Sequence, residues 1–357
     1  MTVDNGLQIE RDVPLAKFTT LGVGGSANYY VRALSESEIA DALKFAADNE
    51  LDVFILGGGS NIVIADGGFN GLVIHVMLKG VDVRSGEGDT VFVRSAAGED
   101  WDAFVAKCVE QDLAGLECLS GIPGYVGGTP VQNVGAYGQE VAETIMSVRC
   151  LDRESLEFVE LSNAECGFEY RKSIFNSTIR DRYVVVSVEF ALKRGGGPKI
   201  TYKDLIEHLG HGEASLRETR DAVLQIRRSK SMVIDENDPN SRSAGSFFKN
   251  PIVPVSKAAE IANELSVEKI PQFRVDDRSV KIPAAWLIEQ AGIKKGFMLG
   301  RAGISENHSL AIINRGGATA AEIFALKELI QNTVNEKFGI MLYPEPIFVG
   351  FSRIKEA

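Results

Sequence analysis

Asp52-Val53-Phe54-Ile55-Leu56-Gly57-Gly58-Gly59-Ser60-Asn61-Ile62-Val63-Ile64 runs an apolar stretch straight into three glycines and out into a second apolar stretch. A short apolar run bounded by turn residues reads as a buried strand. Consecutive glycines let several backbone N–H groups converge on one anion, and Ser60 and Asn61 add side-chain hydrogen bonds. A plain surface turn would need fewer glycines, so the loop reads as a phosphate cradle. Upstream, Ser35-Glu36-Ser37-Glu38 is a capping box, with Ile39, Ala42, Leu43 and Ala46 following at helical spacing. Downstream, a turn at Asp66-Gly67-Gly68 leads to the strand Leu72-Val73-Ile74-His75-Val76, completing a small α/β unit.

Beyond a turn at Arg84-Ser85-Gly86-Glu87-Gly88-Asp89, a second unit begins with the strand Val91-Phe92-Val93-Arg94-Ser95-Ala96. Asp100 caps a helix whose face is Trp101, Phe104, Val105, Cys108 and Val109. A glycine-rich segment over residues 115–138 precedes strands near 147–152 and 183–192, and Gly195-Gly196-Gly197-Pro198 is a turn. Ser215 and Glu218 box a helix that ends in Arg227-Arg228-Ser229-Lys230, and the polar run 235–241 reads as a linker or mobile loop. Further helices start at Ser256 and at Pro283, the latter stopped by Gly292. Thr319 and Glu322 cap a last long helix stopped by Gly339. Strands over 339–343 and 347–351 close the chain around Pro344-Glu345-Pro346. Without strict βα alternation or an internal repeat, the class is α+β in several small domains.

At 357 residues two domains are expected, or three small ones, and 45% hydrophobic with 24% charged residues is ordinary globular usage. A formal net charge of −11 excludes a general nucleic-acid binder. It leaves room for an anionic small ligand at clusters such as Arg227-Arg228-Ser229-Lys230 and Lys294-Lys295, whose plainer reading is solvated surface. No apolar run approaches the ~18 residues of a membrane helix. The opening Met1-Thr2-Val3-Asp4-Asn5-Gly6 lacks signal-peptide character, so a cytoplasmic protein with no membrane partner is expected. Cys108, Cys118, Cys150 and Cys166 show no Cys-x-x-Cys spacing and read as small buried hydrophobes. His208 and His211 flank a helix end, and no metal site is expected.

Gly22-Val23-Gly24-Gly25-Ser26-Ala27 fits G-x-G-x-x-A, but no buried strand precedes it and Asn28-Tyr29-Tyr30-Val31 reads as a strand rather than a helix, so it is not a dinucleotide fingerprint. The loop Gly121-Ile122-Pro123-Gly124-Tyr125-Val126-Gly127-Gly128-Thr129-Pro130-Val131-Gln132-Asn133-Val134-Gly135-Ala136-Tyr137-Gly138 is the second phosphate-competent segment. Its recurring Ile122, Val126, Val131 and Val134 argue against disorder, and two such loops suit a dinucleotide. In Ser243-Ala244-Gly245-Ser246-Phe247-Phe248-Lys249-Asn250-Pro251 a hydroxyl stands between a glycine and an aromatic pair able to exclude water. The bland reading is a turn entering a core strand. Glu169-Tyr170-Arg171-Lys172-Ser173-Ile174-Phe175 and Tyr343-Pro344-Glu345-Pro346 add a guanidinium and a carboxylate, whose plain readings are an Arg171–Glu169 ion pair and a turn carboxylate.

Taken together, these five motifs resemble the UDP-N-acetylenolpyruvoylglucosamine reductase (MurB) family, from about residue 19 to about residue 350. The resemblance implies a two-subdomain FAD-binding domain of the vanillyl-alcohol-oxidase (PCMH) type plus a C-terminal α+β substrate domain. It places the FAD subdomains at 1–80 and 81–230, the substrate domain at 231–340, and a segment carrying a catalytic glutamate at 341–357. It assigns FAD to Leu56, Gly57, Gly58, Gly59, Ser60, Asn61 and Ile62, and to Ile122, Pro123, Gly124, Gly127, Gly128 and Thr129. Neither His nor Cys lies between residues 57 and 64, so non-covalent FAD is expected. NADPH would be the reductant, and the chain a monomer. Arg171 and Glu345 would stabilise an enolate that Ser246 protonates. Tyr170, Tyr202, Lys230, Asn250, Lys295 and His308 would contact the UDP-sugar, with Tyr202 marking the longer family type. His308 stands where some members carry glutamine, and the insert 232–241 has no assigned role.

Hydride reaches an enolpyruvyl group only if negative charge can spread onto the adjacent carboxylate. Arginine offers paired donors to such a group, and a glutamic acid kept neutral adds another. Serine becomes an effective acid when positioned against a strongly basic carbon. Two other readings of the residues are a flavin oxidase of an alcohol or sugar, and a sugar-nucleotide binder without catalysis.

Overall fold

The computed structural model describes residues 2–4, 7–210 and 213–351; His211 lies outside them. The chain forms two compact units. One takes the chain up to Pro14, Ser26–Gly59 and Phe69–Val233; the other takes Leu15–Gly25, Ser60–Gly68 and the chain from Ile234 on. The segments 15–25 and 60–68, which the sequence places in the first 80 residues, thus pack in the second unit.

Among the described residues the first unit holds two large sheets and a small two-stranded one, Gly135–Ala136 with Gln139–Glu140. In one of the large sheets, the strand order is Thr2–Asp4, Leu7–Pro14, Ser26–Ala33, Phe69–Val76, Val53–Leu56. Its last three strands are parallel, which requires a crossover, and α1 (Glu36–Asp48) supplies it. The Ser35/Glu38 box forms as expected, and Ile39, Ala42, Leu43 and Ala46 are buried. Val53–Leu56 is the edge strand, so only Leu56 is fully buried, against the expectation of a buried strand. Ile62–Ile64 does not complete this α/β unit either. It pairs in parallel with Ile347–Val349 in the second unit, because an apolar run fixes burial but not which sheet provides it.

The other sheet is antiparallel, ordered Phe158–Ser162, Ile145–Asp152, Tyr183–Arg194, Thr90–Ala96, Val81–Ser85. Against it lies α2 (Trp101–Glu110), capped by Asp100, whose Oδ1 accepts from Ala103 N at 2.9 Å. Its apolar face is buried as read, and the Trp101, Phe104 and Phe190 rings meet at 5.3–6.0 Å. The four cysteines are buried, and burial pushes the Cys108 thiol up to about 12. Beyond the sheet come α3 (Lys203–Leu209) and α4 (Leu216–Ser229), the latter with the expected Ser215/Glu218 box.

In the second unit, α5 (Val255–Glu264), α6 (Ala284–Gln290) and α7 (Ala320–Phe338) share one core with Phe247 and Phe248. The Thr319/Glu322 box and left-handed Gly339 bound α7 as read. Asp66 accepts from Ala320 N at 2.7 Å and Ala321 N at 2.9 Å. Residues 235–241, expected as a linker or mobile loop, follow the passage between units and are tied locally. Buried Ser241 Oγ bonds Asp235 O at 2.7 Å and Asp238 O at 2.9 Å. The expected strand over 339–343 shrinks to a single Phe248–Pro344 bridge, since Pro344 and Pro346 offer no N–H to extend a ladder.

Candidate active site

The two glycine loops are joined in the first unit. A Cβ on Gly58 would lie 2.6 Å from Gly124 Cα, and one on Gly127 would lie 2.5 Å from Ala97 Cβ, so both approaches require glycine. Gly57 and Gly128 instead face open space. The second loop is anchored at Trp101 N–Gly124 O (3.0 Å), Val126 N–Glu99 O (2.9 Å) and Gly127 N–Ala97 O (2.9 Å). At its start Asp102 accepts from Gly121 N at 2.6 Å while gripping Arg220 at 2.6 and 2.9 Å. Fixed backbone with one open side is what a dinucleotide needs, so these residues fit FAD.

Beneath the first loop lies His75, which sequence reading passed over as one histidine in an apolar strand. Tyr30 Oη lies 2.7 Å from its Nδ1, the Gly57 main chain hydrogen-bonds the ring, and Tyr125 stacks on it at 6.0 Å. Burial, reinforced by the Arg32 charge, lowers its pKa to about 4, so the ring is neutral at neutral pH.

Arg171 sits at φ +54°, a left-handed conformation costing a side-chain-bearing residue about 1 kcal/mol. The turn is held from both sides: Glu169 and Lys172 exchange backbone bonds of 3.0 and 3.1 Å, and Asn176 Nδ2 donates to Arg171 O at 3.3 Å. Ser173 Oγ donates to Val131 O at 2.6 Å, and Asn133 Nδ2 to Glu169 O at 3.1 Å, knitting the turn to the glycine-rich segment. The guanidinium donates from Nη2 to Gly135 O at 2.6 Å and lies 5.3 Å from the Tyr170 ring. The Glu169 carboxylate pairs with Lys172 at 3.1 Å, where the plain sequence reading had put Arg171.

Tyr202 and Lys230 come together at the α3–α4 pair. Tyr202 is exposed and meets Tyr137 edge-on at 5.4 Å, and Lys230 Nζ donates to Asp204 at 2.6 Å. Burial would pull the Lys230 pKa down, but Asp204 and the two tyrosines carry it above the ordinary lysine value. Tyr137 and Asp204 had no signal of their own in the sequence.

In the second unit a ladder of main-chain bonds gathers the serine loop. Phe247 N donates to Leu310 O at 2.8 Å, Glu345 N to Phe247 O at 2.9 Å, and Lys249 N to Tyr343 O at 2.9 Å. Asn61 Nδ2 donates to Glu345 O at 3.2 Å. Ser246 Oγ thereby lies 3.4 Å from His308 Nε2. Asn250 Oδ1 accepts from Ala284 N at 2.9 Å and so caps α6, while Lys295 is exposed beyond that helix.

Comparison with known proteins decides the family. The chain is 46% identical over 349 residues to the UDP-N-acetylenolpyruvoylglucosamine reductase of Thermobifida fusca, covering 95% of this chain and 98% of that one. The chain belongs to the UDP-N-acetylenolpyruvoylglucosamine reductase family. A second member, from Streptomyces coelicolor, is 42% identical over 95% of this chain and 90% of its own. The crystal structure of the Thermus caldophilus reductase (MurB) aligns with a TM-score of 0.64 at 25% identity, covering 96% of this chain and 99% of that one. The FAD binding domain family matches residues 27–161, and the C-terminal domain of UDP-N-acetylenolpyruvoylglucosamine reductase matches 238–349. Both glycine loops of this reductase-family chain fall in the first span, and Ser246, Asn250, Lys295, His308 and Glu345 in the second. Arg171, Tyr202 and Lys230 fall between them. The α+β expectation agrees with the mixed sheets and helices of both units.

Proposed function

We propose that this chain reduces UDP-N-acetyl-3-O-(1-carboxyvinyl)glucosamine to UDP-N-acetylmuramate with NADPH, in peptidoglycan precursor synthesis. The observation that carries the reading is the main-chain ladder that fixes Ser246, Glu345 and His308 on adjoining turns. FAD, when bound, supplies a two-electron carrier between NADPH and the vinyl group. Gly57, Gly58, Gly59, Ser60 and Asn61 would hold it with Ile122, Gly124, Gly127, Gly128 and Thr129, and no His or Cys between residues 57 and 64 offers a covalent attachment through that loop.

Arg171 binds the substrate carboxylate with paired N–H donors in an orientation set by its bond to Gly135 O. Glu345, in neutral form, adds a hydrogen bond to the charge that develops there. Ser246 gives its proton to the carbon beside the carboxylate. Tyr202 and Lys230 take the diphosphate, Tyr170 packs beside Arg171, and Lys295 and the Asn250 amide reach the sugar nucleotide. In this reading the residues that hold FAD lie within 1–80 and 81–230, with substrate residues in 231–340 and Glu345 in the closing segment. Among the described residues no helix is long and apolar enough to cross a membrane. The reading includes a cytoplasmic monomer.

The test separates the half-reactions. Ser246→Ala is expected to slow reoxidation of reduced flavin by substrate roughly 10²–10⁴-fold relative to flavin reduction by NADPH. Equal slowing of both would remove the acid role.

A further inference from the structure

We propose that His308 is the proton store behind Ser246; the inference rests on the reductase reading above. A serine that gives its proton to carbon is left as an alkoxide, a poor product unless a second donor stands behind it. His308 Nε2 lies 3.4 Å from Ser246 Oγ, long for a hydrogen bond but within the range that tightens when a substrate closes a site. Both side chains are half-buried, so the imidazole is shielded from bulk yet reachable by it.

The turn that presents His308 is rigidly built. Ala311 N donates to His308 O at 3.0 Å and Ser305 N to Ala311 O at 2.9 Å. Asn307 N donates to Ser305 Oγ at 3.1 Å, and Glu306 N to Asn240 Oδ1 at 3.1 Å. The Phe247 N–Leu310 O bond locks this turn to the residue after Ser246. Among the charged groups of the adjoining elements, Glu306 is paired with Arg315 at 2.6 Å, and Glu289 on α6 is engaged by Ser309 Oγ. Lys249 and Glu345 flank the serine on its own loop and on the closing segment, and Arg242 is exposed upstream.

The step balances as two coupled transfers. The Ser246 O–H bond breaks as the enolate carbon's electron pair takes the proton to form C–H. The serine oxygen takes the proton of Nε2–H from the imidazolium, leaving neutral imidazole. Solvent then returns a proton to His308. An imidazole titrates near neutrality, so the step is fastest with His308 protonated and fades as pH rises through its pKa.

The experiment uses the FAD-loaded protein, reduced with dithionite and mixed rapidly with the enolpyruvyl sugar nucleotide from about pH 5.5 to about pH 9. The wild-type reoxidation rate falls about tenfold per pH unit above the imidazole pKa, whereas His308→Gln is roughly 10–100-fold slower and loses that limb. His308→Ala regains rate with added imidazole. A His308→Gln protein that keeps the wild-type rate or the descending limb overturns the proposal. Imidazole NMR of the flavin-free protein reads the pairing without turnover. The resonance missing in His308→Gln shifts its titration in Ser246→Ala, and an unshifted titration also overturns it. If the wild-type flavin is not reoxidised by substrate at all, the reductase reading falls, whatever the NMR shows.

Discussion

Gly58 and Gly124 meet backbone to backbone: a Cβ on Gly58 would lie 2.6 Å from Gly124 Cα and 2.8 Å from its carbonyl carbon. Neither contact atom is a flexible side chain that could swing away. The two glycine loops are thus one structure, and the proposed dinucleotide site depends on their contact.

Gly58→Ala therefore forces the loops apart. Overpacking of this kind costs about 1–3 kcal/mol, and FAD affinity is expected to fall roughly 10–100-fold with a lower apoprotein Tm. Gly57→Ala is the contrasting variant, because nothing lies within 4 Å of a Cβ there. It should leave the apoprotein Tm unchanged and weaken FAD only through space the cofactor takes. Thermal unfolding of the apoproteins and flavin-fluorescence titration measure both; identical behaviour of the two variants contradicts the cradle.

His75 predicts an acid limb to stability. Its ordinary value is 6.5, and burial lowers it in the folded protein to about 4. The unfolded chain thus takes up the proton first as pH falls. Stabilisation by neutral His75 is fully present above 6.5 and is lost progressively down to about 4, amounting to about 3 kcal/mol. Urea midpoints should drop across that window in wild type and much less in His75→Gln. Carboxylates held low, such as Asp152 and Glu160, begin to contribute their own losses at the acid end of that window and continue below it, in wild type and His75→Gln alike.

Local features were legible in the sequence, and their spacing shows why. The Ser35/Glu38, Ser215/Glu218 and Thr319/Glu322 boxes close hydrogen bonds between residues three apart, and the face of α2 repeats within one helix. Pairings across the chain left no such mark. Ile62–Ile64 looked like the neighbour of Val53–Leu56 and pairs with Ile347–Val349 instead. Nothing in the sequence sets His308 beside Ser246, 62 residues away, yet the fold brings the two side chains to 3.4 Å. His75 looked like a filler of an apolar strand, and only the packing of Tyr30, Tyr125 and Gly57 around it shows otherwise. Apolar runs state that burial occurs; tertiary packing selects the partner.

Asn250 illustrates the same limit and gives the last prediction. The family resemblance offers it as a substrate contact, and the fold adds that its Oδ1 accepts from Ala284 N at 2.9 Å at the start of α6. The residue in the cap position, Pro283, makes no side-chain cap bond, so Asn250 satisfies that N–H from a distant loop. Asn250→Ala should cost about 1 kcal/mol of stability, seen as a lower Tm in the absence of any ligand. Asn250→Asp keeps an acceptor for Ala284 N and should restore the Tm. Any loss of sugar-nucleotide affinity that remains in Asn250→Asp then belongs to the amide group itself, since the cap is intact. An Asn250→Ala protein with unchanged Tm would mean that the bond to Ala284 adds no stability, and the residue would be left with the substrate role alone.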